Sequence, residues 1–271
     1  MKIRHQQVAG YFYSADKEKL QKDIALLLQS AKTEKSFEKI FGIVAPHAGY
    51  VYSGKTAAYV YNLLKDKTYN TVIVISPSHA EYFPGITIYD GDAYQTPLGI
   101  VELDQVMSSK IIENSKIIFR GIQGHRKEHA LEVQIPFLQS VLKEFRIVPI
   151  VMGDQSKMFV DHLAEKIASA ADENTLVVAS SDMSHFYDSE EADVLDSVVE
   201  KRINEFDFEQ LMKDLDDKEC EACGGGPIAV MMKAASLKNI NRSLVIDRSD
   251  SGDVTGDKSE VVGYLSAVVY S

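Results

Sequence analysis

Three apolar runs in this chain each end in a metal-competent side chain. Ile40–Ala45 precedes Pro46-His47, Thr71–Ile75 precedes Ser76-Pro77-Ser78-His79, and Thr175–Ala179 precedes Ser180-Ser181-Asp182-Met183-Ser184-His185. Short β-branched runs of this kind read as strands buried on both faces. In open α/β sheets, ligands bind beyond the carboxyl ends of the strands. Three strands releasing histidine or aspartate at that edge therefore converge on one crevice, a constraint few other architectures satisfy.

The rest of the chain fits the same alternation. A helix is expected from Asp16 to Ala31, with Ser14 as candidate cap and Leu20, Ile24, Leu27 and Leu28 on one stripe. A second helix opens at Ser53 or Gly54 and runs to Leu64, so the order β-α-β implies a right-handed parallel crossover between the first two strands. Residues Gly85 to Phe119 read as short strands (Ile86 to Tyr89, Ile100 to Leu103, Ile117 to Phe119) with turns at Gly91, Pro97 and Gly121. Leu131, Ile135, Leu138 and Leu142 mark a helix with Pro136 early in it, where proline costs least. Strand Arg146 to Val151 and helix Lys157 to Ala171 follow. Helices are expected over Glu190 to Phe206 and about Ile228 to Leu237, with a shorter one between, and strands Ser243 to Asp247 and Val261 to Tyr270 close the chain. Without repeats or a linker, residues 1–271 read as a single three-layer α/β/α domain with a mixed, largely parallel central sheet.

With 271 residues, 45% of them hydrophobic, the chain can bury a proper core. A formal charge of −11 disfavours a nucleic-acid partner, because phosphate binding needs a basic face. No run reaches the roughly 18 apolar residues that span a bilayer, and the start lacks a signal-peptide core, so a cytoplasmic protein without a membrane partner is expected. Cys220 and Cys223 match C-x-x-C, but a zinc knuckle needs a second pair and a thioredoxin-like motif should follow a strand.

At the strand exits the residue types suit a shared site. Pro46 stiffens the approach to His47, and Pro77 does the same before His79. One such histidine taken alone reads more readily as structural; two shift the balance. Asp182 and His185 form Asp-x-x-His, which turns both side chains into one cavity if the segment begins a helical turn. The aspartate then orients an imidazole or caps the helix, and the histidine serves as general base. Cys223 precedes Gly224-Gly225-Gly226-Pro227 and a helix, whose N-terminus lowers a thiol's pKa; the alternative is an inert buried cysteine. His125-Arg126-Lys127-Glu128-His129 is formally the H-x-x-E-H string of inverted zinc peptidases. Gly121 and Gly124 before it indicate a loop, whereas that mechanism needs both histidines on one helix. Glu128 and His129 are better placed beside the site at a helix N-terminus, contacting substrate or orienting ligands.

Ala45-Pro46-His47-Ala48-Gly49-Tyr50-Val51-Tyr52-Ser53-Gly54, Ser76-Pro77-Ser78-His79, Glu128-His129-Ala130-Leu131-Glu132-Val133-Gln134, Ser181-Asp182-Met183-Ser184-His185-Phe186 and Cys223-Gly224-Gly225-Gly226-Pro227 together resemble the Memo family. In prokaryotes its members carry the label AmmeMemoRadiSam system protein B. The resemblance implies a LigB-like fold, that of the class III extradiol non-haem iron dioxygenases. It places His47 and His79 at the two histidine ligands, His185 at the catalytic-base histidine with Asp182 beside it, and Cys223 where the dioxygenases have glutamate. Tyr50, Gly224, Glu128 and His129 fall around them as substrate or supporting residues. A thiolate there shifts preference toward copper(I), zinc or thiolate-bound iron, so Fe(II) or Cu(I), with zinc as a further option, is the expected cofactor. Association with AMMECR-type and radical-SAM proteins is implied by the family name alone.

Two functions compete on this reading. One is an iron- or copper-dependent redox or oxygen-linked enzyme; the other is a binding module whose vestigial dioxygenase cleft accepts a peptide or small molecule without turnover. A zinc hydrolase using Glu128 is a third.

Overall fold

The computed structural model describes residues 1–271. In chain order the elements are β1 (Ile3–Arg4), α1 (Lys17–Ser30), β2 (Ile40–Ala45), α2 (Tyr50–Asn62), β3 (Thr71–Pro77), β4 (Ile86–Tyr89), β5 (Ala93–Thr96), β6 (Gly99–Glu102), α3 (Gln105–Ile112) and β7 (Ile118–Gly121). There follow α4 (Gln134–Val141), β8 (Arg146–Met152), α5 (Lys157–Ala170), β9 (Thr175–Ser180), β10 (His185–Tyr187), α6 (Ser189–Asn204), α7 (Phe208–Asp216), α8 (Gly225–Ser236), β11 (Arg242–Asp250), α9 (Gly252–Thr255) and β12 (Val261–Tyr270).

The three apolar runs are strands β2, β3 and β9, buried at every position, as a strand between two helical layers must be. They lie together in a nine-stranded sheet of order β10-β12-β2-β9-β3-β8-β4-β7, with β11 paired to β12. The central pairings β2–β9, β9–β3 and β3–β8 are parallel, while β12 runs antiparallel to β2 and β4 antiparallel to β8. Side chains alternate between two cores: on β3, Val72 and Val74 join the core under α1, α2 and α4, while Ile73 and Ile75 join the one under α3 and α5 to α8. The result is one α/β domain with a mixed, largely parallel sheet between helical layers. A three-stranded sheet, β1-β5-β6, packs beside it. No helix is long and apolar enough to cross a membrane.

Several local expectations are corrected. Asp16, not Ser14, caps α1 by accepting from the Lys19 N–H. Helix α2 starts three residues before Ser53, at Tyr50, because Gly49 rather than a side chain forms its cap. The crossover from β2 to β3 is parallel as expected, with β9 lying between the two strands. Between β6 and β7 the chain forms α3, which the reading as strands and turns missed, although Asp104 caps it from the Met107 N–H and Met107 and Ile111 are buried one turn apart. Strands β1, β5 and β10 were likewise not anticipated; each has two to four residues, too short for a periodic signal. Leu131 lies on the turn ahead of α4, with Pro136 in that helix's first turn, and α8 begins at Gly225 rather than Ile228.

Candidate metal centre and its cleft

His47 leaves β2, His79 leaves β3 and Cys223 precedes the Gly224 cap of α8, and their ligand atoms all lie within 4.8 Å of one another. His47 Nε2 and Cys223 Sγ are 3.2 Å apart. A shared small ion needs about that spacing, because bonds of roughly 2.0–2.3 Å meeting near the tetrahedral angle put two donors about 3.5 Å apart.

Hydrogen bonds decide which nitrogen of each imidazole faces inward. Ser180 on β9 donates its hydroxyl to Ala130 O at 2.7 Å, so it accepts from His47 Nδ1 at 2.9 Å and from Gln134 Nε2 at 2.7 Å. The proton of His47 is thereby on Nδ1, and its Nε2 lone pair faces the sulfur. Glu128 does the same for His79, accepting from its Nδ1 at 2.9 Å and its backbone N–H at 2.6 Å. That carboxylate also accepts from the His129 and Ala130 N–H groups at 3.0 and 2.9 Å. Burial works against its charge, but these donors hold its pKa at about 2. Burial likewise opposes a charge on His79, yet the bond to Glu128 holds its pKa above the usual value. Burial among the other imidazoles keeps His47 well below the ordinary histidine range.

His79, Glu128 and His129 form a second group within 4.8 Å, overlapping the first at His79. Its carboxylate already accepts four bonds, so it serves to orient His79. The two Nε2 lone pairs and the thiol of the first group fit a metal better. Outer partners of metal ligands commonly contribute 10- to 100-fold to affinity. Ser180→Ala is accordingly expected to weaken metal retention about 10- to 100-fold, measured by competition with a chelator, with the circular dichroism of the fold unchanged.

The Cys223 loop is held by close backbone contact. Gly224 N–H donates to Ser181 Oγ at 2.9 Å, and a Cβ on Gly224 would meet the Ser180 carbonyl and, at 2.7 Å, Ser181 Cβ. Only glycine lets α8 approach β9 this closely. Gln155, just past β8, clamps the same loop, donating to Cys223 O and accepting from Gly226 N–H, both at 2.8 Å. Sequence reasoning missed Gln155 and Ser180. The signal existed for the former, because Gly153-Asp154-Gln155 follows an apolar run just as the other strand exits do. The expected lowering of the Cys223 pKa by the helix terminus is overturned: burial, aided by the charge of Asp182, pushes the thiol up.

Asp182 lies in the irregular segment after β9 and His185 at the start of β10, not in a helical turn, and Asp188 rather than Asp182 caps α6. Asp182 acts on the metal-competent group itself. Its Oδ1 accepts from the His47 N–H at 2.6 Å, and its own N–H points at Cys223 Sγ at 3.2 Å. Burial pushes its carboxyl up to about 7 against the pull of the His47 and Ala48 N–H groups. His185 belongs to neither metal-competent group, but with His129 and Asp182 it lines a cleft of about 550 Å³. Burial lowers its pKa. Tyr50 is packed in the core with its hydroxyl on Val133 O at 2.7 Å, and Tyr52 faces the cleft in its place. Phe12, 4.7 Å from the His129 ring, closes one side, a contribution from the N-terminal segment that no sequence signal marked.

The H-x-x-E-H string does not make a zinc peptidase site. Residues 125–129 are not helical, and buried His125 bonds Tyr94 Oη through Nδ1 at 2.7 Å, apart from either metal-competent group. Cys220 and Cys223 are both free.

A mixed α/β sheet carrying two tautomer-fixed histidines and a cysteine at its carboxyl edge, beside a cleft with a third and fourth histidine, defines a metal-competent α/β protein. The chain belongs to the Memo-like protein family, whose profile matches residues 4–268. It is similar to the MEMO1 family proteins of Nitrosopumilus maritimus (37% identical, covering 97% of this chain and 98% of the relative) and Aquifex aeolicus (37%, covering 99% of each). It is also 39% identical to the MEMO1 family protein of Archaeoglobus fulgidus, over 98% of this chain and 99% of that one.

Proposed function

We propose that this chain holds one iron(II) or copper(I) ion between His47, His79 and Cys223 and performs redox or oxygen-linked chemistry on a ligand in the adjoining cleft. The observation that carries this reading is that the three donors all lie within 4.8 Å of one another, with both imidazoles turned by Ser180 and Glu128 to offer Nε2. Such an ion supplies electron-transfer and Lewis-acid chemistry at the cleft floor.

The chain's own residues do the rest. Asp182 fixes the spacing of His47 and Cys223 by bonding to both. His185, whose pKa burial lowers, stands at the cleft wall as the group that accepts a proton from the bound ligand. Phe12 and Tyr264 give the cleft aromatic walls. A free thiol at such a site fits a reducing compartment, so the cytoplasm is assigned.

Elemental analysis of anaerobically purified protein tests the reading, with near-stoichiometric iron or copper as the expected result. A metal-free protein that still binds a peptide or small ligand would mean a binding module instead. His185→Ala is expected to retain its metal while losing about 10²- to 10⁴-fold in any turnover, as a general acid–base group does. Loss of metal in that variant, with the fold intact, would make His185 a ligand.

A further inference from the structure

The cleft meets the metal-competent group through His129 and Asp182, and its lining is charged in one sense only. Its lining includes the carboxylates of Asp182, Asp257 and Glu260, and no lysine or arginine. Nearby basic residues do not compensate. Lys258 is bonded to Asp250 and Asp253 at 2.7 and 2.6 Å, and Arg248 to Asp193 and Glu200. The Asp257 carboxylate accepts only from Ser259, whose hydroxyl lies at 2.7 Å, and from no cation, and Glu260 forms no ion pair. Both are exposed and stand at the rim, whereas Asp182 is buried at the floor.

Between rim and floor the walls are aromatic: Phe12, Tyr52, Tyr264 and Phe186. Phe186 is 72% exposed yet held at φ +66°, a conformation that disfavours a bulky side chain. It sits at the irregularity where β10 pairs with β12, with its ring open to solvent at the cleft mouth. Aromatic faces and carboxylates share a preference for cations.

We infer that the cleft takes a ligand with an apolar or aromatic body and a protonated amine, the body between the aromatic walls and the ammonium at Asp257 and Glu260, leaving its other end over the His/His/Cys group. This rests on the cleft being the ligand site of the proposed function, and it narrows the substrate to amines. Anionic ligands are disfavoured by the same Asp257 and Glu260 carboxylates.

The test compares phenethylamine, 2-phenylethanol and 3-phenylpropionate, which share a ring and differ in charge, by calorimetric titration of the purified protein at low salt. The expected order is amine over alcohol by about tenfold or more, with the acid weakest. In an Asp257→Asn/Glu260→Gln double variant the amine's advantage should fall to within about threefold of the alcohol, while Glu34→Gln/Glu173→Gln, equal in charge change, exposed and outside the cleft, should leave it intact. Phe186→Ala should weaken amine and alcohol alike. Equal binding of acid and amine, or an amine preference unchanged in the double variant, would overturn the inference. Metal content measured on the same samples separates the two readings: a metal-loaded protein indifferent to charge defeats only the amine assignment, and a metal-free protein that prefers the amine supports it while defeating the metal centre.

Discussion

Replacing Cys223 with serine is expected to abolish tight metal binding. It removes a donor from the group itself, so the loss should exceed the roughly 100-fold that an outer partner contributes. Cys223→Glu should behave differently. Its hard oxygen donors suit iron(II) but not copper(I), so copper(I) affinity falls relative to iron(II). Competitive anaerobic binding of both metals to the wild type and the two variants measures this. Catechol turnover belongs in the same experiment. An oxidisable sulfur beside the ion argues against ordinary extradiol ring cleavage, so the wild type should show little of it. Brisk catechol cleavage by the wild type, or unchanged copper(I) affinity in both variants, would mean that the cysteine has another purpose, such as closing the loop against β9.

Loss of Glu132 should produce the largest fall in stability of any single change away from the metal-competent group. Arg4 and Glu132 form an ion pair at 2.6 Å whose side chains are 5% and 0% exposed. Glu132 also accepts from the Tyr13 hydroxyl at 2.7 Å and from the Gln7 and Val8 N–H groups at about 3 Å. Arg4 reaches the other way, donating to the carbonyls of His125 and Glu128. Together they tie the N-terminal segment to the turn that carries Glu128. Glu132→Ala leaves the arginine buried without its counter-charge, and breaking such a pair costs about 3–5 kcal/mol. At about 2–4 °C per kcal/mol for a chain of this size, the melting temperature should drop by roughly 6–20 °C. Thermal unfolding measures it, and a drop of less than about 2 °C would show that the segment is not anchored there. The cleft should respond too, since Phe12 sits on the same segment and its main chain accepts from the Tyr50 N–H at 2.8 Å.

The architecture was legible because its signals are local. Runs such as Thr71–Ile75 and Thr175–Ala179 carry enough consecutive β-branched residues to declare buried strands without knowing their neighbours. Proline and histidine directly after them marked where ligands gather. Strands β1, β5 and β10 left no comparable trace, because two to four residues show no period and become strands only when a partner lies alongside. The position of β9 between β2 and β3 was equally beyond local reading, since strand order depends on which side chains fill the space between helical layers.

At the site, the residue types and the metal-competent character of His47, His79 and Cys223 were written in the sequence itself, along with the motifs that align this chain with its family. Their positions and contacts relative to one another were set only by the tertiary structure. Asp182 bonds to His47 and Cys223 rather than to His185, three residues on, because the segment between them is not helical, although both side chains still line the same cleft. The Cys223 thiol is pushed up rather than down, because the desolvation of a buried sulfur depends on everything packed around it while a helix terminus acts only nearby. Phe12, Gln155 and Ser180 come from distant stretches of chain that meet only when the sheet assembles. Sequence sets which groups are present; long-range packing sets their distances, their tautomers and their access to water, and those three quantities govern the chemistry of the cleft.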